Sequence, residues 1–158
     1  MLTKSVVESF YKNFAKAMEN SDYIFLQNSL GTEFVSSSPS GKQGNKESWI
    51  SSIRTEAERF KFLSVNFLVE KSEILDNLSQ VYITKTFTTR DSDGHLFVSI
   101  NQSKEFLSVL SGELKILKID NFKRSLEVDG KVVVFEERVA VDALEQGCAE
   151  EGGKDDWN

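Results

Sequence analysis

The order of signals between Val6 and Gly44 restricts this chain more than any other feature. Val6, Val7, Phe10, Phe14, Ala17 and Met18 recur at steps of three and four, which places them along one stripe of a helix from about residue 3 to 20. Lys12, Lys16 and Glu19 fall off that stripe, toward water. Asp22 follows Asn20-Ser21, and its side chain can accept from the free amides of a second short helix, DYIFLQNSL, which Gly31 is expected to stop. Phe34 and Val35 begin a short strand. Ser36 to Gly44 (SSSPSGKQG) is the clearest loop in the chain, built from residues that favour turns.

Asn45 can cap a third helix in which Trp49, Ile50, Ile53, Ala57 and Phe60 share a face. From about Leu63 the apolar period shortens to two: Leu63, Val65, Phe67 and Val69, then Val81, Ile83 and Phe87, then Leu96, Val98 and Ile100. Asp76-Asn77, Asp91-Ser92-Asp93-Gly94, Ser111-Gly112 and Asp129-Gly130 separate these runs and read as hairpin turns. Helices first and antiparallel strands afterwards is the α+β order, with helices covering one face of a sheet.

Charge bounds the partners. The net charge of −6 is unevenly spread: residues 1–135 hold 17 acids and 17 bases, whereas 136–158 hold 8 acids against Arg138 and Lys154. A balanced body with no basic stripe lacks the phosphate-neutralising surface that nucleic acids require, so nucleic acid is excluded as the main partner. The longest apolar runs are far short of the roughly 20 residues that cross a bilayer, and no membrane partner is expected. The single cysteine, Cys148, cannot form an internal disulfide, and MLTKSVVESFYKNF lacks the basic-then-apolar pattern of a secretory signal; both favour the cytoplasm. No Cys/His cluster has zinc spacing and no acidic loop has the calcium pattern, so neither metal nor cofactor is expected. The body is expected to be one domain, residues 1–138, followed by an acidic and flexible tail, 139–158, whose one strong apolar anchor is Trp157.

The succession from Val6 to Gly44, with its matches at Ser21-Asp22, Phe34-Val35 and Pro39-Ser40-Gly41, followed by the third helix and four long strands, resembles the NTF2-like superfamily. That group includes SnoaL-like cyclases, ketosteroid isomerases and many non-catalytic domains, and the likeness spans about residues 4–123. It implies N-terminal helices packed on a curved antiparallel sheet, a cone-shaped roll with a pocket at its open end and pairing of two copies through the sheet. Isomerase chemistry needs a carboxylate base, a tyrosine and a protonated acid. The matching register places Ser38, Phe14 and Lys104 in those three roles, and none can fill them. The dehydratase branch needs histidine and tyrosine at the pocket, but His95, the only histidine, follows a DSDG turn.

Period-two alternation through Leu96, Val98, Ile100 and Phe106 puts Gln102 and Lys104 on the same face, with Asp120 on the next strand as the partner a buried ammonium would require. Together with the resemblance, this gives an expected pocket of Tyr11, Phe14, Phe34, Ser38, Trp49, Gln102, Lys104, Phe106 and Asp120, and no catalytic residue. The row Gln80, Tyr82, Thr84, Thr86, Thr88 forms the other face of its strand, either solvated or a sheet-to-sheet contact. The reading is a non-catalytic domain binding a small apolar molecule or a protein partner as a homodimer. The alternative is a SnoaL-like isomerase, cyclase or dehydratase using Glu33, Glu70 or Asp120, helped by Lys104 or Tyr11. A third is an interaction module whose acidic tail docks a basic partner or folds over the pocket mouth.

Overall fold

The computed structural model of the protein describes residues 2–139. Helix α1 (Lys4–Glu19) is capped by the Thr3 side chain, which accepts from the Val6 amide, and buries Val7, Tyr11, Phe14, Ala15, Ala17 and Met18. Helix α2 (Tyr23–Asn28) starts where Asp22 accepts from the Phe25 amide. It ends at the Ser29 cap rather than at Gly31, because Leu30 already begins strand β1 (Leu30–Ser37). A short β2 (Gln43–Asn45) leads into α3 (Lys46–Arg59), whose cap is reciprocal: Asn45 accepts from the Ser48 amide and the Ser48 hydroxyl accepts from the Asn45 amide.

Four long strands follow, β3 (Lys61–Leu75), β4 (Leu78–Arg90), β5 (Leu96–Leu110) and β6 (Glu113–Val128), then β7 (Lys131–Glu137). The expected turns join them. At Ser111-Gly112 and Asp129-Gly130 both residues have positive φ, as tight hairpins require. The sheet order is β2-β1-β6-β5-β4-β3. Strand β6 pairs through its first half with β1, in parallel, and through its second half with β7. The inward row of β4, including Val81 and Ile83, joins the buried side of α1 in one core with Leu26, Leu30, Phe34, Leu107, Ile116 and Ile119.

The architecture is α+β, but the expected cone-shaped roll of antiparallel strands is corrected in two respects. The sheet is mixed, because β1 runs parallel to β6, and it is neither closed nor strongly curled. Strands β2 and β3 stand at opposite ends of the strand order. Strong curling needs bulges that fall in line across successive strands. Here β4 and β5 pair without a register shift from Leu78↔Ser108 to Arg90↔Leu96, so the bends in β3 and β6 are not carried across the centre. The expected acidic tail lies, beyond Val139, outside the described residues.

Helix α3 carries Trp49, Ile53, Glu56 and Arg59 to the cavity described below, so its cap bears on the site. Asn45→Ala should cost about 1 kcal/mol in urea unfolding and fray the first turn, read as faster amide exchange at Lys46–Trp49. Exchange unchanged there would show that the cap does not hold the helix start.

Candidate functional site: a cavity between the helices and the sheet

A cavity of about 580 Å³ lies between α1, α3 and the helix-covered face of the sheet. Phe14 and Met18 come from α1, and Trp49 and Ile53 from α3. Strands contribute Phe62 and Phe67, Phe87, Phe97 and Leu126, and Phe60 closes one side. The rings are mutually packed: Phe14 lies 5.9 Å from both Trp49 and Phe67, and Phe67 meets Phe87 edge-on at 5.8 Å. Aromatic pairs at these separations are favourable beyond their buried area, so the wall is stiff.

The floor is polar and buried. Glu105 on β5 forms an ion pair with Lys85 on β4, Oε2 to Nζ at 3.0 Å. The Tyr11 hydroxyl donates to Glu105 Oε1 (2.9 Å), and the Ser103 hydroxyl donates to Oε2 (2.7 Å). Lys85 Nζ also donates to Asn121 Oδ1 at 3.0 Å. Burial, followed by the adjacent carboxylate and the hydrogen bond to it, raises the Tyr11 phenol well above its ordinary range. With three donors on its carboxylate, Glu105 is an anchored anion. An ammonium has three N–H donors, and among the described residues two of those of Lys85 are engaged, by Glu105 and Asn121.

The wall also includes Glu56, Arg59 and Arg124. Burial pushes the Glu56 carboxyl up, and the guanidinium groups of Arg124 and Arg59 oppose that shift.

Of the residues expected at a pocket, Phe14, Ser38 and Trp49 line this cavity. Tyr11 is fully buried beneath it and reaches Glu105. Phe34 is buried against the Trp49 ring (5.9 Å). Gln102, Lys104, Phe106 and Asp120 are on the opposite face: the residues of β5 that line the cavity are Phe97, Ser99, Asn101 and Glu105. Lys104 and Asp120 are direct cross-strand neighbours, as their proposed partnership required, but Lys104 Nζ rests 4.9 Å over the Tyr82 ring and Arg138 reaches Asp120. Glu33 borders a separate groove beside α3, and Glu70 bonds Thr84. None of the acids considered for catalysis therefore meets the cavity, whereas Lys85, Glu105, Asn121 and Glu56, which sequence reasoning passed over, do. The signal that could have found them is the loop between β4 and β5: pairing Arg90 with Leu96 across Asp91–His95 sets Glu105 opposite the inward Val81.

No known protein family and no curated protein matches the sequence. Solved structures match the fold. A conserved protein from Planctomyces limnophilus is 12% identical with a TM-score of 0.68, covering 73% of this chain and 91% of that one. An NTF2-like protein from Cytophaga hutchinsonii is 16% identical (TM-score 0.60; 77% and 98% covered). A ketosteroid isomerase-like protein from Erwinia carotovora atroseptica is 11% identical (TM-score 0.63; 82% and 95% covered). At these identities the likeness is one of fold: the chain has an NTF2-like fold. Among the described residues no helix is long and apolar enough to cross a membrane, and no group of three or more acid, histidine or cysteine side chains could hold a metal ion.

Proposed function

We propose that this chain is a non-catalytic binding domain that holds a small, largely apolar molecule bearing an oxygen acceptor. The observation that carries the reading is the combination of an aromatic-walled cavity of about 580 Å³ with a single buried ammonium, Lys85, at its floor. That volume suits a drug-sized guest, and a mostly apolar wall with few polar groups is how such sites bind and orient. Tyr11, Ser103 and Lys85 occupy the Glu105 oxygens, which favours an electrostatic floor over a proton-transfer base.

The test uses 1-anilinonaphthalene-8-sulfonate, an aromatic anion, and the Trp157→Phe chain, in which Trp49 is the one remaining tryptophan. Saturable binding of one probe per chain should quench Trp49 by energy transfer. Ser99→Trp, which fills the cavity from β5, should abolish that binding while the thermal midpoint holds. Probe binding undiminished by Ser99→Trp, or the lack of a saturable site, would overturn the proposal.

A further inference from the structure

The cavity carries more positive charge than its floor accounts for. Its ionisable lining is Arg59, Lys85 and Arg124 against Glu56 and Glu105. Lys85 and Glu105 answer one another in their ion pair, which leaves Glu56 facing two guanidinium groups. The chain as a whole has a net charge of −6, so an anion drawn into the cavity is drawn by these residues and not by the field of the whole protein.

Cross-strand register brings the donors into line. Lys85 on β4 pairs with Asn101 on β5, Asn101 with Arg124 on β6, and Arg124 with Glu136 on β7. Residues directly opposite one another share a face of the sheet, and the first three line the cavity. An amide thus stands between two cations, each one strand spacing, about 5 Å, away. Arg59 enters from the last turn of α3. Its charge and that of Arg124 both act on the Glu56 carboxyl, which puts the two guanidinium groups on one side of the cavity.

These donors are little used within the chain. The Arg59 guanidinium rests 5.2 Å over the Phe60 ring, and among the described residues no acceptor bonds it. The Asn101 side chain likewise has no hydrogen-bond partner among the described residues. Arg124 has Glu136 beside it at 3.6 Å, a partly exposed pair of the kind that contributes little. A guanidinium presents five N–H donors in a planar fork that matches a carboxylate.

We propose that the oxygen acceptor of the guest is a carboxylate, seated over Asn101 between Arg124 and Arg59, with the body of an aromatic acid lying among Phe62, Phe87 and Phe97. This rests on the binding reading above and narrows it to one class of molecule. Glu56 is the opposing charge at the site, so it weakens the anion that the arginines hold.

The test displaces a neutral probe, N-phenyl-1-naphthylamine, with two competitors of one shape, 2-naphthoate and 2-naphthamide. In the unmodified chain naphthoate should compete about tenfold more tightly than naphthamide, the worth of one charge-assisted hydrogen bond. Arg59→Met combined with Arg124→Met should bring that ratio close to one, and the ratio is read within a single variant, so lost protein does not mimic the result. Glu56→Gln should tighten naphthoate severalfold relative to naphthamide, a gain that misfolding cannot produce. Equal competition by the two in the unmodified chain, or a naphthoate preference that survives loss of both arginines, would overturn the carboxylate site and leave the binding reading standing. A chain with no saturable site for the neutral probe would overturn the binding reading and this proposal with it.

Discussion

Glu105→Ala is expected to destabilise the protein by about 3–5 kcal/mol, because it leaves the Lys85 ammonium buried without its counter-charge. Lys85 is 6% exposed and among the described residues keeps only Asn121 as an acceptor, while the Tyr11 and Ser103 hydroxyls lose their carboxylate. Removing both charges is a different experiment. Lys85→Met with Glu105→Leu replaces the ion pair by apolar groups of similar volume, a change that is often neutral or stabilising. Urea unfolding of the two single variants and the double variant therefore should give a strongly non-additive cycle. Additive losses would show that the pair does not interact. Tyr11 supplies a pH signature of the same network. Its pKa is raised in the folded state above the unfolded value near 10, so between those two values the unfolded chain has lost a proton that the folded chain keeps. Stability from this group is complete below about pH 10 and falls as the pH rises further, and Tyr11→Phe should remove that part of the alkaline decline.

The same residues show how far the sequence can be read. The helices were legible because their stripes and caps are local: Asp22 and Asn45 cap the helices they were expected to cap, and Trp49 faces inward with Ile53. The turns were legible for the same reason. What was not legible was which face of β5 is inside. Its even row, Leu96, Val98, Ile100 and Phe106, is the more apolar, while its odd row, Phe97, Ser99, Asn101, Ser103, Glu105, includes the cavity floor. An apolar count picks the wrong face when a site stores its polar groups inside and the outer face also carries apolar residues. The parallel pairing of β1 with β6 was equally hidden, since it joins segments some 80 residues apart with no turn to fix their register. Gly31 misled for a local reason: Leu30 was already in the strand, so the glycine serves the approach of β1 to Leu117, whose Cδ2 would lie 2.9 Å from an added Cβ.

Phe14→Ala should cost about 3–5 kcal/mol, the range for deleting a buried aromatic ring. Phe14 is 1% exposed and touches the rings of Phe10, Trp49 and Phe67, so the substitution removes its own burial and three aromatic pairs. The wall it leaves is rigid, because Trp49 is also held by Phe34 and Phe67 by Tyr11 and Phe87, so the gap cannot close by collapse. The added space instead joins the cavity. Phe14→Leu, which keeps most of the volume, should lose less than half as much. The ratio of the two losses in urea unfolding is the diagnostic quantity. If alanine and leucine cost the same, the ring interactions rather than the filled volume would be the source of the stability. If alanine costs under about 1 kcal/mol, the neighbouring rings do close in, and Phe14 is not what keeps the cavity wall in place.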